Sequence, residues 1–146
     1  MNTDQKPFKH RELTQKIIGV FYEVYNELGH GFLESVYENA MALALRESGL
    51  DARQQAPITV HFRGQIVGDF RADFLVENAV IVELKAAKAM ESAYEAQLLN
   101  YLRATDIEVG MLINFGPKPE FKRLAFDNGR KGRPQITQMN ADRDAA

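Results

Sequence analysis

Asp73-Phe74-Leu75-Val76, a polar break at Glu77-Asn78-Ala79, and Val80-Ile81-Val82-Glu83-Leu84-Lys85 form the stretch on which the reading of this chain turns. Two short apolar runs around a turn predict consecutive strands. Side chains on a strand alternate between faces, so Glu83 and Lys85 share a face with Ile81 while Val80, Val82 and Leu84 take the other. Both faces are partly apolar, and a carboxylate and an ammonium inside such a run carry a desolvation cost that demands partners. If residues 77–79 turn the chain back as a hairpin, Asp73 lies opposite Glu83, with Cβ atoms about 4.5–5.5 Å apart. Like charges that close repel unless a cation sits between them, and converging oxygens suit a hard divalent ion such as magnesium. Lys85 projects from the same face, placed to stabilise charge. A buried ionic network competes with this reading, with Arg71 pairing to Asp73 and Lys85 to Glu83.

Outward from this stretch, 146 residues suit one domain with a real core. No cysteine is present, which excludes disulfides, a thiolate nucleophile and cysteine-based metal sites. His10, His30 and His61 are scattered and do not suggest a zinc site. His61 reads as a solvent-facing strand residue. No apolar segment is long enough for a signal peptide or membrane span, so a cytoplasmic location and no membrane partner are expected. The net charge of −2 gives nucleic-acid binding no support by itself. Residues 117–133 are nonetheless locally basic, with Lys118, Lys122, Arg123, Arg130, Lys131 and Arg133 against Glu120 and Asp127. They read as a solvated tail or as a phosphate-contacting edge.

Residues 1–11 lack periodicity and read as a flexible arm. Leu13, Ile17, Ile18, Phe21, Val24, Tyr25 and Leu28 then predict a helix capped at Gly29. A second helix is expected from about Leu33 to Ser48, with Leu33, Val36, Tyr37, Ala40, Met41 and Ala44 inward, forming a helical hairpin with the first. Glu34 falls in its first turn, where an acid interacts well with the helix dipole, and Tyr37 shares its face. Strands follow at Pro57–Phe62 and Gln65–Val76, with Arg63-Gly64 as the turn and Gly68 as a bulge or close approach. A third helix is expected from about Met90 to Ala104 with Tyr94, Gln97, Leu98, Tyr101 and Leu102 buried; an inward glutamine needs partners. Val109–Phe115 reads as a strand buried on both faces and Phe121–Phe126 as an edge strand. The single domain is expected over 12–127, with 128–146 a polar, disordered tail.

Gly31-Phe32-Leu33-Glu34-Ser35-Val36-Tyr37 resembles the signature of the GxxExxY proteins, a family of the PD-(D/E)XK nuclease superfamily. Asp73 with Glu83-Leu84-Lys85 is similar to that superfamily's D…ExK core, and Gln97-Leu98-Leu99-Asn100-Tyr101 to its QxxxY element. Leu112-Ile113-Asn114-Phe115-Gly116 resembles the family's ending. The resemblance spans about residues 13–126, with Ala72 standing where the superfamily name has proline. It implies an α/β (α+β) restriction-endonuclease-like core: a central mixed sheet of four to five strands flanked by helices.

The same resemblance implies roles for residues. Asp73, Glu83, Glu34 and the Leu84 carbonyl would hold Mg2+, with Mn2+ as a substitute. Lys85 would orient the attacking water, making Glu34, Asp73, Glu83 and Lys85 the catalytic set. Tyr37, Gln97 and Tyr101 would position substrate, and Lys88, Lys118, Lys122 and Arg123 would contact phosphates. The implied activity is metal-dependent hydrolysis of DNA. Alternatives are a non-catalytic nucleic-acid-binding or protein-interaction module with the same fold, or a metal-dependent hydrolase of another substrate. The small size points to a homodimer, a partner protein or a structure-specific substrate.

Overall fold

The computed structural model describes residues 9–131. Helices α1 (Arg11–Leu28) and α2 (Glu34–Glu47) precede strands β1 (Ala52–Phe62), β2 (Gln65–Val76) and β3 (Val80–Lys85); α3 (Ser92–Arg103), β4 (Val109–Phe115), β5 (Pro119–Ala125) and the single turn α4 (Asn128–Lys131) follow. The described strands form one five-stranded sheet in the order β1-β2-β3-β4-β5. It is mixed: β3 and β4 run parallel, joined by α3, and every other neighbouring pair is antiparallel. The fold is the nuclease-like mixed sheet flanked by helices that the resemblance implies.

Each face of the sheet has its own core, as expected of strands apolar on both sides. Val80, Val82 and Leu84 of β3 join Ile17, Phe21, Tyr37 and Met41 from α1 and α2. Ile81 joins Leu98, Tyr101 and Leu102 from α3 on the other face. Glu77 and Asn78 both adopt positive φ, at 54° and 53°, and Ala79 N–H donates to Val76 O at 2.9 Å. That tight turn sets the register Phe74↔Val82, Leu75↔Ile81 and Val76↔Val80. Arg63 and Gly64 make the expected β1–β2 turn, again with positive φ. The β1–β2 register slips between Val60 and His61, beside Gly68.

Several expectations are corrected. Leu33 and Val36 are exposed, not inward, because α2 begins only at Glu34 and turns Tyr37, Met41, Ala42 and Leu45 to the core. Gln97 is exposed on the flank of α3, whose buried side is Leu98, Tyr101 and Leu102. His61 is half-buried, with Nδ1 shielded from solvent. Residues 128–131, expected within the disordered tail, form α4; Lys131 is buried and donates to Thr105 O and Ile107 O at 2.9 and 2.8 Å. Those carbonyls lie in the connection between α3 and β4, outside any ladder, and the ammonium satisfies them. In the expected arm, Lys9 pairs with Glu108 at 2.6 Å and Arg11 already opens α1. The rest of the expected arm and tail, residues 1–8 and 132–146, lies outside the described residues.

Candidate metal centre

The β2–β3 hairpin brings Asp73 and Glu83 together, one step beyond the last regular ladder pair, Phe74↔Val82. There the backbone ladder gives way to side chains. Asp73 N–H donates to Glu83 Oε2 at 2.8 Å, and Leu84 N–H donates to Asp73 Oδ2 at 2.9 Å. Each carboxylate thus has one oxygen fixed by the opposite strand. Among the described residues, Asp73 Oδ1 and Glu83 Oε1 accept no hydrogen bond. The reciprocal pair holds both side chains on rigid strands without using all of their acceptor capacity.

Burial dominates the electrostatics. Glu83 is only 5% exposed. Desolvation first, then the Asp73 charge, push its carboxyl up to about 8 against the lowering effect of the Asp73 N–H and Lys85. Asp73 is pushed up to about 6, again mainly by desolvation, with Glu38 and Glu34 raising it and the Leu84 N–H and Lys85 lowering it. The Tyr101 hydroxyl is raised too, by burial and then by the charges of Glu83 and Asp73. A titrating pair of acids whose nearby cation, Lys85, acts only through its field and forms no ion pair with either fits a divalent cation by donor chemistry.

The other expected site residues fall into two groups. Glu34 opens α2 and is exposed; its field reaches both acids. Yet among the described residues no three acidic or imidazole side chains are gathered tightly enough to hold a metal, so Glu34 does not complete a three-carboxylate set with Asp73 and Glu83. Its place at the helix N-terminus leaves the side chain in water, where the dipole favours it. Lys85 lies on the α3 face with its ammonium 4.8 Å from the centroid of the Tyr94 ring, a cation–π contact that holds it beside the acids. The expected ion pairs do not form: Arg71 donates to Gln55 O at 3.0 Å, and Lys85 makes no short contact with Glu83.

Tyr37, expected to position substrate, is wholly buried. Its hydroxyl donates to Gly29 O at 2.6 Å and accepts from Phe32 N–H at 3.3 Å, while its ring stacks on Phe115 at 4.2 Å. It therefore positions the Gly29–Leu33 turn and, through it, the start of α2 with Glu34. Gln97 donates to the Tyr101 hydroxyl at 3.2 Å, so these two act as a unit on α3. Lys88 and Lys118 are exposed in loops after β3 and β4, which run parallel and so end at the same edge of the sheet as Lys85. Lys122 instead bridges Glu95 at 3.0 Å, and Arg123 is half-buried and donates to the Lys9 carbonyl.

The supporting roles of three residues escaped the sequence reading. Glu38, one helical turn after Glu34, raises Asp73 and accepts from both Gln54 and Gln55 at 2.9 Å; its i, i+4 spacing was the available signal. Tyr94 was read only as core. Asn114, fully buried, clamps the segment after Lys85 by accepting from Ala87 N–H at 2.9 Å and donating to Ala87 O at 3.0 Å. A Cβ at Gly116 would collide with that same Ala87 carbonyl, which accounts for the Asn-Phe-Gly ending.

A PD-(D/E)XK nuclease superfamily profile matches residues 11–124. The chain belongs to the PD-(D/E)XK nuclease superfamily. No curated protein matches the sequence. Two solved structures are similar to it at low identity. A crystal structure of SSO0001 aligns at 13% identity and a TM-score of 0.49, covering 77% of this chain and 58% of that one. An alkaline exonuclease (LHK-Exo) from Laribacter hongkongensis aligns at 12% identity and a TM-score of 0.39, covering 76% of this chain and 66% of that one. This chain therefore spans less than two thirds of either protein's length. No described helix is long and apolar enough to cross a membrane.

Proposed function

We propose that this protein is a metal-dependent nuclease that hydrolyses DNA phosphodiester bonds, with Asp73, Glu83 and the Leu84 carbonyl holding Mg2+ or, in its place, Mn2+. The carrying observation is the buried Asp73–Glu83 pair, cross-fixed by two backbone N–H groups and left with one uncommitted oxygen on each side chain. When bound, the ion supplies Lewis acidity toward the phosphate and lowers the pKa of water. The chain's own residues do the rest. Lys85, held against Tyr94, orients the attacking water and stabilises charge developing on the phosphate oxygens. Glu34 acts from the rim of the site, and the Gln97–Tyr101 unit positions substrate from α3. Lys88 and Lys118 contact flanking phosphates, whereas Lys122 and Arg123 are engaged within the protein and contribute less.

One observation favours a second reading. With its carboxyl pushed up to about 8, Glu83 takes a proton near neutral pH, and a shared proton can relieve the pair without metal. A fold-retaining, non-catalytic binding module would then suffice. Calorimetric titration of Mg2+ or Mn2+ into wild type, Asp73→Ala and Glu83→Ala, with cleavage of single- and double-stranded DNA followed in the same samples, separates the two. Metal binding and cleavage lost together in both variants support the nuclease. No binding by wild type at millimolar metal leaves the protonated pair as the better account.

A further inference from the structure

The distal half of the β1–β2 hairpin extends past the short β3, and a groove of about 670 Å3 lies between it and the outer flank of α3. Val60 and Phe70 form one wall; Gln97, Asn100 and Tyr101 form the other, with small alanines at 93 and 96 keeping it open. The volume falls in the range of about 300–1,000 Å3 usual for small-molecule sites. Phe70 is 46% exposed and its ring is held in place, lying over Gly68, where a Cβ would clash with it, and 6.0 Å from the Tyr101 ring. Aromatic surface is therefore part of the groove lining.

We propose that this groove takes an unpaired nucleobase of the strand being cut, with Phe70 as the stacking platform and the Asn100 and Gln97 amides reading the base edge. The proposal rests on the nuclease reading and names its substrate class, single-stranded or frayed DNA. Three observations select this occupant. The groove shares Tyr101 with the surroundings of the acid pair, since that residue lines it and lies within the field of Glu83 and Asp73, so a strand whose phosphate meets the acids can place a neighbouring base there. Amides carry both donors and acceptors, as a base edge requires. No acidic side chain lines the groove, and base–aromatic stacking tolerates any base because each has a π-face.

The test is fluorescence titration of a single-stranded oligodeoxynucleotide carrying 2-aminopurine, against the matching duplex, in chelator and again in calcium. Phe70→Leu keeps the apolar volume and loses the ring; Asn100→Ala removes an amide; Val67→Ala alters an exposed residue of the same hairpin outside the groove. The expected result is quenching by wild type with the single strand only. Phe70→Leu abolishes quenching and weakens binding at least tenfold, Asn100→Ala weakens it severalfold, and Val67→Ala changes neither, all four proteins keeping the same Tm. Absence of single-strand binding in both conditions, equal binding of the duplex, or affinity indifferent to Phe70 overturns the proposal. Magnesium-dependent cleavage combined with indifference to Phe70 removes the groove and leaves the nuclease. Phe70-dependent binding without cleavage removes the nuclease and leaves the groove.

Discussion

Glu83→Gln tests the electrostatics of the site at its centre. The glutamine carbonyl can still accept from Asp73 N–H, now 2.8 Å from Glu83 Oε2, while the charge is gone. A carboxyl whose folded-state pKa is raised binds its proton more tightly when folded. Its stabilising contribution is full below the unfolded value near 4.5, declines as pH rises, and is lost once pH passes about 8. Asp73, raised to about 6, acts in the same direction. At about 1.4 kcal/mol per pKa unit, ionising this buried pair costs on the order of a few kcal/mol at pH 8 without metal. For a domain of this size that corresponds to a Tm change of about 10 °C. Thermal unfolding in chelator from pH 5 to 8 should show wild type losing stability more steeply than Glu83→Gln, with the variant the more stable protein at pH 8. Millimolar Mg2+ at pH 8 should then raise the Tm of wild type and leave the variant unmoved. Parallel pH profiles, or a variant less stable than wild type at pH 8, would refute the assignment of a strained acid pair.

Other perturbations probe the supports. Lys85→Ala should keep metal binding by calorimetry and lower the cleavage rate by about 10²–10³, the scale of losing one charge-stabilising donor. Tyr37→Phe removes a hydroxyl that makes two hydrogen bonds and should cost about 1–2 kcal/mol in urea unfolding. Asn114→Ala strands both the N–H and the carbonyl of Ala87 and should cost about 2–4 kcal/mol. Lys122→Ala breaks only an exposed bridge to Glu95; stability should change by less than about 1 kcal/mol.

Much of the fold was legible because its determinants are local. The alternation through 73–85 specified two strands apolar on both faces, and the turn at Glu77-Asn78 set the register that brings Asp73 to Glu83. The i, i+3, i+4 spacing of Ile17, Phe21 and Val24 marked the inner face of α1. What was misread depends on neighbours distant in sequence. Gln97 looked inward because it borders the apolar stripe, of which only Leu98, Tyr101 and Leu102 are covered, and Leu33 looked inward although it precedes the first turn of α2, which begins at Glu34.

The sequence alone, then, determined the order of elements, the pairing of Asp73 with Glu83 and the face carrying Lys85, since periodicity and turn chemistry act over a few residues. Tertiary structure decided what those groups experience. Both acids lie in a hairpin covered by helices on both faces of the sheet, and desolvation is the largest cause of both raised pKa values. It also joined the Tyr37 hydroxyl to Gly29 and Phe32, Lys122 to Glu95 and Lys131 to the carbonyls of Thr105 and Ile107. Hydrogen bonds and burial between segments tens of residues apart depend on how helices pack across the sheet, and no local pattern encodes that packing.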